Sequence, residues 1–414
     1  MEAMGVRAVV DPQLTALALA WVAGGAALGT VTGLVPGIHA NNVALVLASV
    51  APGLPGLPLG VGVGILSAGV VHTFVNVVPA LALGVPDAET AATTLPGHRM
   101  VLAGRGEEAI RLSALGSGLA VVAAVPLAVP LTRGMTAAYP TLSANIAIVL
   151  GGVLVGLIAA ETGFRSRAGG ALAQAASGAL GAVALDADPA APLEAGGMLA
   201  PLFAGLFGAP VLLEAIDGGG VPRQTGTAVR SSRLRVALTA LAGAIAGAVV
   251  GYLPGISAAI AAVAVLACVP GGDDDRAYVV ATSGVDTANA IFALVALVAL
   301  GRPRSGVIVA FERTDAPLTL AVLVPCVLLA GVVGFLVTLS VGDRYLRLVG
   351  RLDQRRLSVC VIALLGVLSG LFAGEIGVLA FVVAAAVGLI PARAGARRVH
   401  LMGVLLVPLL VSSA

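Results

Sequence analysis

The chain contains no lysine: all 23 of its basic residues are arginine. Charge of either sign is scarce, at 11% of residues, against roughly 25% in a soluble domain. Aromatic residues make up 3%, and there are 3 cysteines and 4 histidines. Each shortage excludes something. So few charges cannot solvate a chain that is 59% hydrophobic with a mean hydropathy of +1.06, which excludes a soluble enzyme. A formal net charge of +2 excludes a nucleic-acid partner recruited by a large positive field. Cys268, Cys326 and Cys360 stand in apolar runs at no metal-ligand spacing and read as core residues. No zinc set, phosphate-binding glycine loop or nucleophile triad is recognisable, so the chain reads as a non-enzyme without a cofactor. No cleavable signal peptide is evident. The arginine bias fits a GC-rich genome.

What the chain has in abundance is apolar sequence. Runs recur from Leu14 to Val411, many long enough to cross a bilayer core of about 30 Å. They are continuous rather than alternating, which argues for helices and against a β-barrel. Segments are expected at about 14–34, 39–50, 60–84, 112–132, 145–162, 169–184, 196–216, 234–252, 256–269, 279–300, 316–340, 357–374, 376–390 and 399–413. The expected fold is therefore all-α: a polytopic membrane protein of about 12–14 segments. The pieces at 39–50 and 256–269 are short and read as half-helices or re-entrant arms. The bilayer is thus the first partner, and a multi-pass protein of the plasma membrane the expected location.

Three motifs recur in order. Gly33-Leu-Val-Pro-Gly-Ile38 returns as Gly251-Tyr-Leu-Pro-Gly-Ile256. Ala80-Leu-Ala-Leu-Gly-Val-Pro86 resembles Val298-Ala-Leu-Gly-Arg-Pro303, and Gly152 to Gly163 returns as Gly366 to Gly377. The offsets are near-constant, 218 at Pro-Gly-Ile and 214 at Glu161 and Glu375. Arginine clusters at 99–111, 165–167, 223–235, 344–356 and 393–398 are separated by even numbers of segments, so all five can lie inside, with the acidic 186–194 loop outside. Under that topology the segment ending in Glu161 runs inward and the one ending in Glu375 runs outward. The halves are then inverted copies with broken helices: repeat 1 at 1–217, a cytoplasmic linker at 218–233, and repeat 2 at 234–414. Inverted repeats are a recurrent plan of secondary transporters, with substrate held between the repeats.

Proline removes a donor and glycine loosens the chain, so a helix breaks at each Pro-Gly-Ile. A break within lipid must be buried in protein or line a wet cavity, and the following helix end favours an anion. The candidate substrate-binding residues are accordingly Pro36, Gly37, Ile38, His39, Asn41 and Asn42, with Pro254, Gly255, Ile256 and Ser257. A packed kink is the alternative. His72-Thr-Phe-Val-Asn76 and Asp286-Thr-Ala-Asn289 form a second pair. Asp286 is the most informative acid, because a carboxylate in a membrane segment is costly and usually faces a cavity. Thr73, Asn76, Asp286, Thr287 and Asn289 are the candidate coupling-ion residues, for Na⁺ or a proton; solvation of Asp286 at the interface is the alternative. His72 reads equally as a proton relay or a hydrogen-bonded core group. Arg105, Glu107 and Glu108 read as a solvated loop. Glu161 and Glu375 read as sharing a structural job at helix ends.

These motifs resemble the large permease subunit, TctA, of the tripartite tricarboxylate transporters. The similar stretches are Gly33 to His39, Gly251 to Ser257, Ala91 to Met100, Glu107 to Ala114, Gly205-Leu-Phe207 with Glu214, and Val285 to Asn289. The resemblance covers about residues 20–310. It implies a proton- or Na⁺-coupled importer of citrate-like carboxylates, with a small membrane subunit and an extracytoplasmic binding protein as partners. Where the family has Gly and Pro or Thr after Pro-Gly, this chain has His39, Ala40 and Asn41, and one asparagine of the second-half pair is replaced. The expected function is alternating-access transport of a small organic anion, a di- or tricarboxylate. The rival reading is a translocase for polyprenyl phosphate or another anionic lipid. Whether a homodimer forms is left open by the sequence.

Overall fold

The computed structural model describes residues 11–36, 38, 40, 43–44, 47, 57–85, 94–187, 189–193, 197–216, 220–226, 228–252, 258, 261–262, 265 and 274–413. Among these residues there is no strand. Seven helices are long and apolar enough to cross a membrane. They are α1 (Pro12–Leu34), α2 (Pro58–Leu83), α4 (Gly106–Ala144), α8 (Arg233–Tyr252), α9 (Asp275–Leu300), α11 (Leu320–Val349) and the first part of a longer run beginning with α12 (Gln354–Gly388). Shorter apolar helices are α5 (Ile146–Ala159), α7 (Leu199–Ala215) and α14 (Arg398–Ser413). The rest are α3 (Thr94–Leu102), α6 (Phe164–Ala184), α10 (Gly306–Glu312) and α13 (Ile390–Ala394). The expected all-α polytopic class is what the chain adopts.

Local chemistry sets the helix ends. Asp11 caps α1 by accepting from Gln13 and Leu14 N–H groups, with Pro12 at the first helical position. Asp274, Ser305 and Asp353 cap α9, α10 and α12 in the same way. Gly84 and Gly301 end α2 and α9 at φ +69° and +63°, a left-handed cap that favours glycine. α2 pauses at Asn76 because Pro79, three residues on, has no N–H to return to the Val75 carbonyl. α4 is longer than expected. It runs through Pro126, Pro130 and Pro140, all on its exposed side, where the lost bonds face outward and only bend the helix.

Close crossings fix the directions. Gly25, Gly29 and Gly33 of α1 lie against Gly64, Ala68 and Val75 of α2 in that order. The two helices are therefore parallel. Gly243, Gly247 and Gly251 of α8 meet Ala281, Val285 and Phe292 of α9 in the same order. That pair is parallel too, and the glycines are offset by 218 throughout, as Pro-Gly-Ile is. The short pieces expected at 39–50 and 256–269 lie mostly outside the described residues; between α1 and α2, Ala44 packs with Val61, Ile65 and Ala310. Between α8 and α9, Ala258 and Ala262 pack with Val250 and Val285, and Val265 with Ala277 and Ala281. The two pairs run in opposite directions, since Thr73 meets Thr287 while Asn76 meets Asp286, and Gly97 touches both Leu81 near the end of α2 and Val279 near the start of α9.

The halves interlock. α2 packs on α11 and α9 packs on α4; α7 packs on α12 and α6 on α14. Within α12 the chain reverses at Ala373 and Gly374, so 354–372 and 375–388 are the two arms of a hairpin, with Ser369 against Gly377 and Gly366 against Phe381. That matches the two separate segments expected there. α5 and α6, joined through a positive-φ Gly163, are the corresponding pair in the first half. The cysteine expectation needs correcting: Cys326 is buried, but Cys360 is exposed on the outer face of α12, where a small apolar side chain suits lipid as well as core. Cys268 lies outside the described residues.

Candidate functional site

α9 carries Asp286 eleven residues after its start, about 16 Å along the helix. The side chain is 2% exposed, so it is neither at a helix end nor solvated. Across from it stands the pause in α2. Asn76 donates from Nδ2 to Asp286 Oδ2 at 3.4 Å. One turn away, Thr73 and Thr287 bring their hydroxyl oxygens to 3.3 Å. Thr73 donates to the Val70 carbonyl at 2.8 Å, which leaves Thr287 as the donor between the two. Thr73, Asn76, Asp286 and Thr287 are all buried, and each half supplies two of them.

His72 is 1% exposed and lies on the α1 side of α2. Its Nδ1 is 3.1 Å from Thr32 Oγ1. Thr32 also donates to the Leu28 carbonyl at 2.9 Å, so we assign the proton of this pair to His72 Nδ1. A cleft beside this contact is lined by Thr32, Ala40, Ala44, Ile65, Gly69 and His72. Thr32 was not singled out from the sequence; its place on the face of Gly25, Gly29 and Gly33 is the signal that could have found it.

The structure thus brings together four of the five coupling-ion candidates. Asn289 is half-buried, its backbone nitrogen lies against Gly247, and among the described residues its side chain makes no hydrogen bond to the cluster. Of the substrate-binding candidates, Pro36 is buried and Ile38 half-buried just beyond the end of α1. Gly37, His39, Asn41, Asn42, Pro254, Gly255, Ile256 and Ser257 lie outside the described residues. The internal correspondence also shifts. Sequence identity pairs His72-Thr73 with Asp286-Thr287, an offset of 214. The glycine crossings set the backbone offset of α2 and α9 at 217, which places Asn289 opposite His72 and Asp286 opposite Gly69. The carboxylate therefore has no acidic twin.

Chemically, a carboxyl group buried midway along a helix long and apolar enough to span, among hydroxyl and amide oxygens, requires either a proton or a cation to offset its burial. Asp286, Thr73, Thr287 and the Asn76 amide present hard oxygen ligands, which suit an alkali or alkaline-earth ion better than a soft metal. Among the described residues no group of His, Cys, Asp and Glu is placed to hold a transition metal.

Two polar centres lie away from this site. Glu108, read from the sequence as solvated, is 0% exposed. It is bound by Arg105 and Arg276 and accepts from the Arg230 N–H at 2.9 Å. Glu107 is buried as well, and the correction has a plain cause: both glutamates stand in the first turn of α4, which is covered by the start of α9 and by the linker, from which Arg276 and the Arg230 N–H reach Glu108. Glu161, 5% exposed, accepts from the Arg397 N–H at 2.9 Å, from Arg397 Nε at 3.1 Å and from His400 Nε2 at 3.0 Å. Burial pushes its pKa up, but the bonds from Arg397 and His400 outweigh that and hold the carboxyl below its ordinary value. Glu375 is exposed at the tip of the α12 hairpin, so the two glutamates do not share a bonding role. Glu214 pairs with the buried Arg398 at 2.7 Å.

The chain matches the model of the tripartite tricarboxylate transporter TctA family over residues 19–403. It is similar to an uncharacterized protein of Methanocaldococcus jannaschii, 26% identical over 387 residues that cover 92% of this chain and 95% of the relative. No solved structure matches it significantly. A match across nearly the whole length, on an all-helical polytopic fold with a buried carboxylate at its centre, leaves one conclusion: the chain belongs to the TctA family of tripartite tricarboxylate transporters, a multi-pass membrane transporter subunit.

Proposed function

We propose that the chain is a secondary active permease for small organic anions, di- or tricarboxylates, coupled to Na⁺ or a proton and working by alternating access. The observation that carries this is the Asp286 cluster, buried where two oppositely directed helix pairs cross, with ligands from both halves. A cation or proton bound there would tie the halves together, and its release would let them part. The two halves act as inverted repeats, 1–217 and 234–414, joined by a linker at 218–233. The breaks after Pro36 and Pro254 supply the anion contacts. The protein sits in the plasma membrane, and a small membrane subunit and an extracytoplasmic binding protein deliver the substrate.

The test is uptake of labelled citrate and C4-dicarboxylates into proteoliposomes, with the accessory subunits supplied, under an inward Na⁺ or proton gradient. The gradient that drives accumulation identifies the coupling ion. Asp286→Asn is expected to abolish accumulation while the protein stays monodisperse. Full gradient-driven uptake by that variant would remove Asp286 from the coupling step.

A further inference from the structure

The polar contacts between the two halves are distributed very unevenly along the molecule. At the arginine-rich end, four ion pairs among the described residues tie α3 and α4 to α9 and α11. Arg99 of α3 meets Asp275 at the start of α9 at 2.5 Å, and Glu108 of α4 meets Arg276 of α9 at 2.9 Å. Arg111 of α4 meets Asp343 of α11 at 3.5 Å, and Glu107 meets Arg347 of α11 at 3.7 Å. The linker is strapped across the same place: Gln224 Oε1 accepts from the Gly106 N–H at 2.6 Å, and the Thr225 N–H donates to the Gly104 carbonyl at 2.9 Å. Glu161 with Arg397 and Glu214 with Arg398 also join the halves, in the outlying group of α5–α7 and α12–α14. At the opposite end, the described residues show no ion pair between the halves. There Arg304 donates to the Tyr139 hydroxyl at 2.6 Å, and deeper in, Thr132 and Tyr252 share a hydrogen bond of 2.6 Å.

We propose that the Glu108–Arg276 pair and the ion pairs around it form the gate that closes the arginine-rich end during transport. The geometry gives the reason. Glu108 is the hub: fully buried, it holds α4, α9 and the linker at once, and its arginines are themselves less than a quarter exposed. Parting the halves at this end must break the whole set together, because the four pairs bridge the same seam. That is a two-state latch rather than a graded contact. Between it and the Asp286 site lies a buried serine contact, with Ser113 Oγ 2.7 Å from Ser283 Oγ. Ser283 is one turn before Asp286 on α9, so opening the latch would expose first Ser283 and then the site. Asp286 reports to the latch along the same helix that carries Arg276. Binding midway along α9 and the ion pairs at its start then bias a single rigid element.

This proposal rests on the alternating-access reading, and the experiment separates the two. The full chain, with its three cysteines replaced by serine and Ser113→Cys as reporter, is placed in sealed vesicles. Membrane-impermeant maleimide is then applied from each side. With the latch intact, the introduced thiol is expected to react slowly from both sides. Glu108→Gln removes the charged partner that Arg276 has on the other half, leaving it only Asp274 beside it on its own side of the seam, and should raise the rate from the arginine-rich side by about tenfold or more while leaving the other side unchanged. If Glu108→Gln is not monodisperse, Asp343→Asn with Arg347→Gln removes two peripheral pairs, and raised ionic strength should add to its smaller rise. Unchanged labelling in a folded latch variant overturns the gate, whatever the transport assay reads. A raised rate in a chain that transports no carboxylate leaves the gate standing and overturns the substrate reading instead.

Discussion

The parallel helix pairs are held by backbone contact, and that makes a sharp prediction at single glycines. A Cβ on Gly29 would stand 2.4 Å from the Ala68 carbonyl oxygen, and one on Gly247 would stand 2.4 Å from that of Val285. Close carbon–oxygen contacts settle at about 3.3 Å, so each helix pair would have to separate by about 0.9 Å. The neighbouring atoms are backbone and cannot rotate away. Overpacking of this kind costs about 1–3 kcal/mol. Against it, alanine is the better helix former by about 0.5–1 kcal/mol. The net expectation for Gly29→Ala or Gly247→Ala is a loss of about 1–2 kcal/mol. Gly24 is the internal control. It lies earlier in α1 on the exposed face, and a Cβ there would meet nothing within 4 Å. Gly24→Ala should therefore gain about 0.5–1 kcal/mol from helix propensity alone. The assay is the half-life of monodisperse protein in detergent at a fixed elevated temperature, where about 1.4 kcal/mol on the unfolding barrier is tenfold. Opposite signs at glycines of one helix are the signature. If Gly29→Ala and Gly247→Ala lengthen the half-life as Gly24→Ala does, the close crossings are not what holds the pairs.

His98 donates from Nδ1 to the Leu81 carbonyl at 2.7 Å, and burial pushes its pKa below 6.5 despite that bond. A histidine with a depressed folded pKa binds fewer protons than the unfolded chain, so its contribution is complete above about 6.5 and is lost as pH drops below that value. His98→Gln should flatten that acid slope in a pH series of thermal midpoints; an unchanged slope would assign it to other groups. Glu161→Gln should destabilise by about 1–3 kcal/mol, because Arg397 and His400 lose a charged acceptor. The wild-type contribution should be present above the ordinary carboxyl pKa of 4.5 and vanish as pH falls through the lowered folded value, so the two proteins should converge in acid. Equal thermal midpoints at neutral pH would refute it.

Much of the architecture is legible in the chain because its causes are local. Apolar runs placed most helices, proline and glycine marked the breaks, and the repeated Pro-Gly-Ile located the duplicated pair. The glycine crossings were legible too, at an offset of 218, though composition alone presented them as a general abundance. Asp286 stood out for its cost in lipid, and Asn76 and Thr73 for their place in the matching segment. What was hidden depends on partners far along the chain. Nothing local to Glu108 says that Arg276 covers it, and polar residues beside a helix start read naturally as a loop. The sequence match of His72-Thr73 with Asp286-Thr287 misled about register by three residues, since identity is a weaker constraint than a helix crossing. Glu161 and Glu375 show the same limit: like sequence, yet one is buried under Arg397 and the other exposed at a hairpin tip.

The asymmetry between the halves is where function enters a symmetric frame. Each half carries a parallel pair ended by a left-handed glycine cap, and interlocking makes each half complete the other's core. Symmetry of that kind allows two equivalent closed ends. The side chains then break it. Asp286 accepts from Asn76, beside the Thr73–Thr287 contact, and its counterpart position in the other half is Gly69, so the crossing carries one carboxyl group rather than a matched pair. Among the described residues, the ion pairs between the halves around the two helix pairs gather at one end, so on the alternating-access reading proposed above the two closed states would differ in energy. A transporter needs two states whose balance a bound ion can tip, and a ligand tips it only through differential affinity. Here a single carboxyl group sits at the crossing, on the same helix as Arg276, whose pair with Glu108 bridges the halves at one end. Charge placement, rather than helix topology, is therefore what gives this frame a direction.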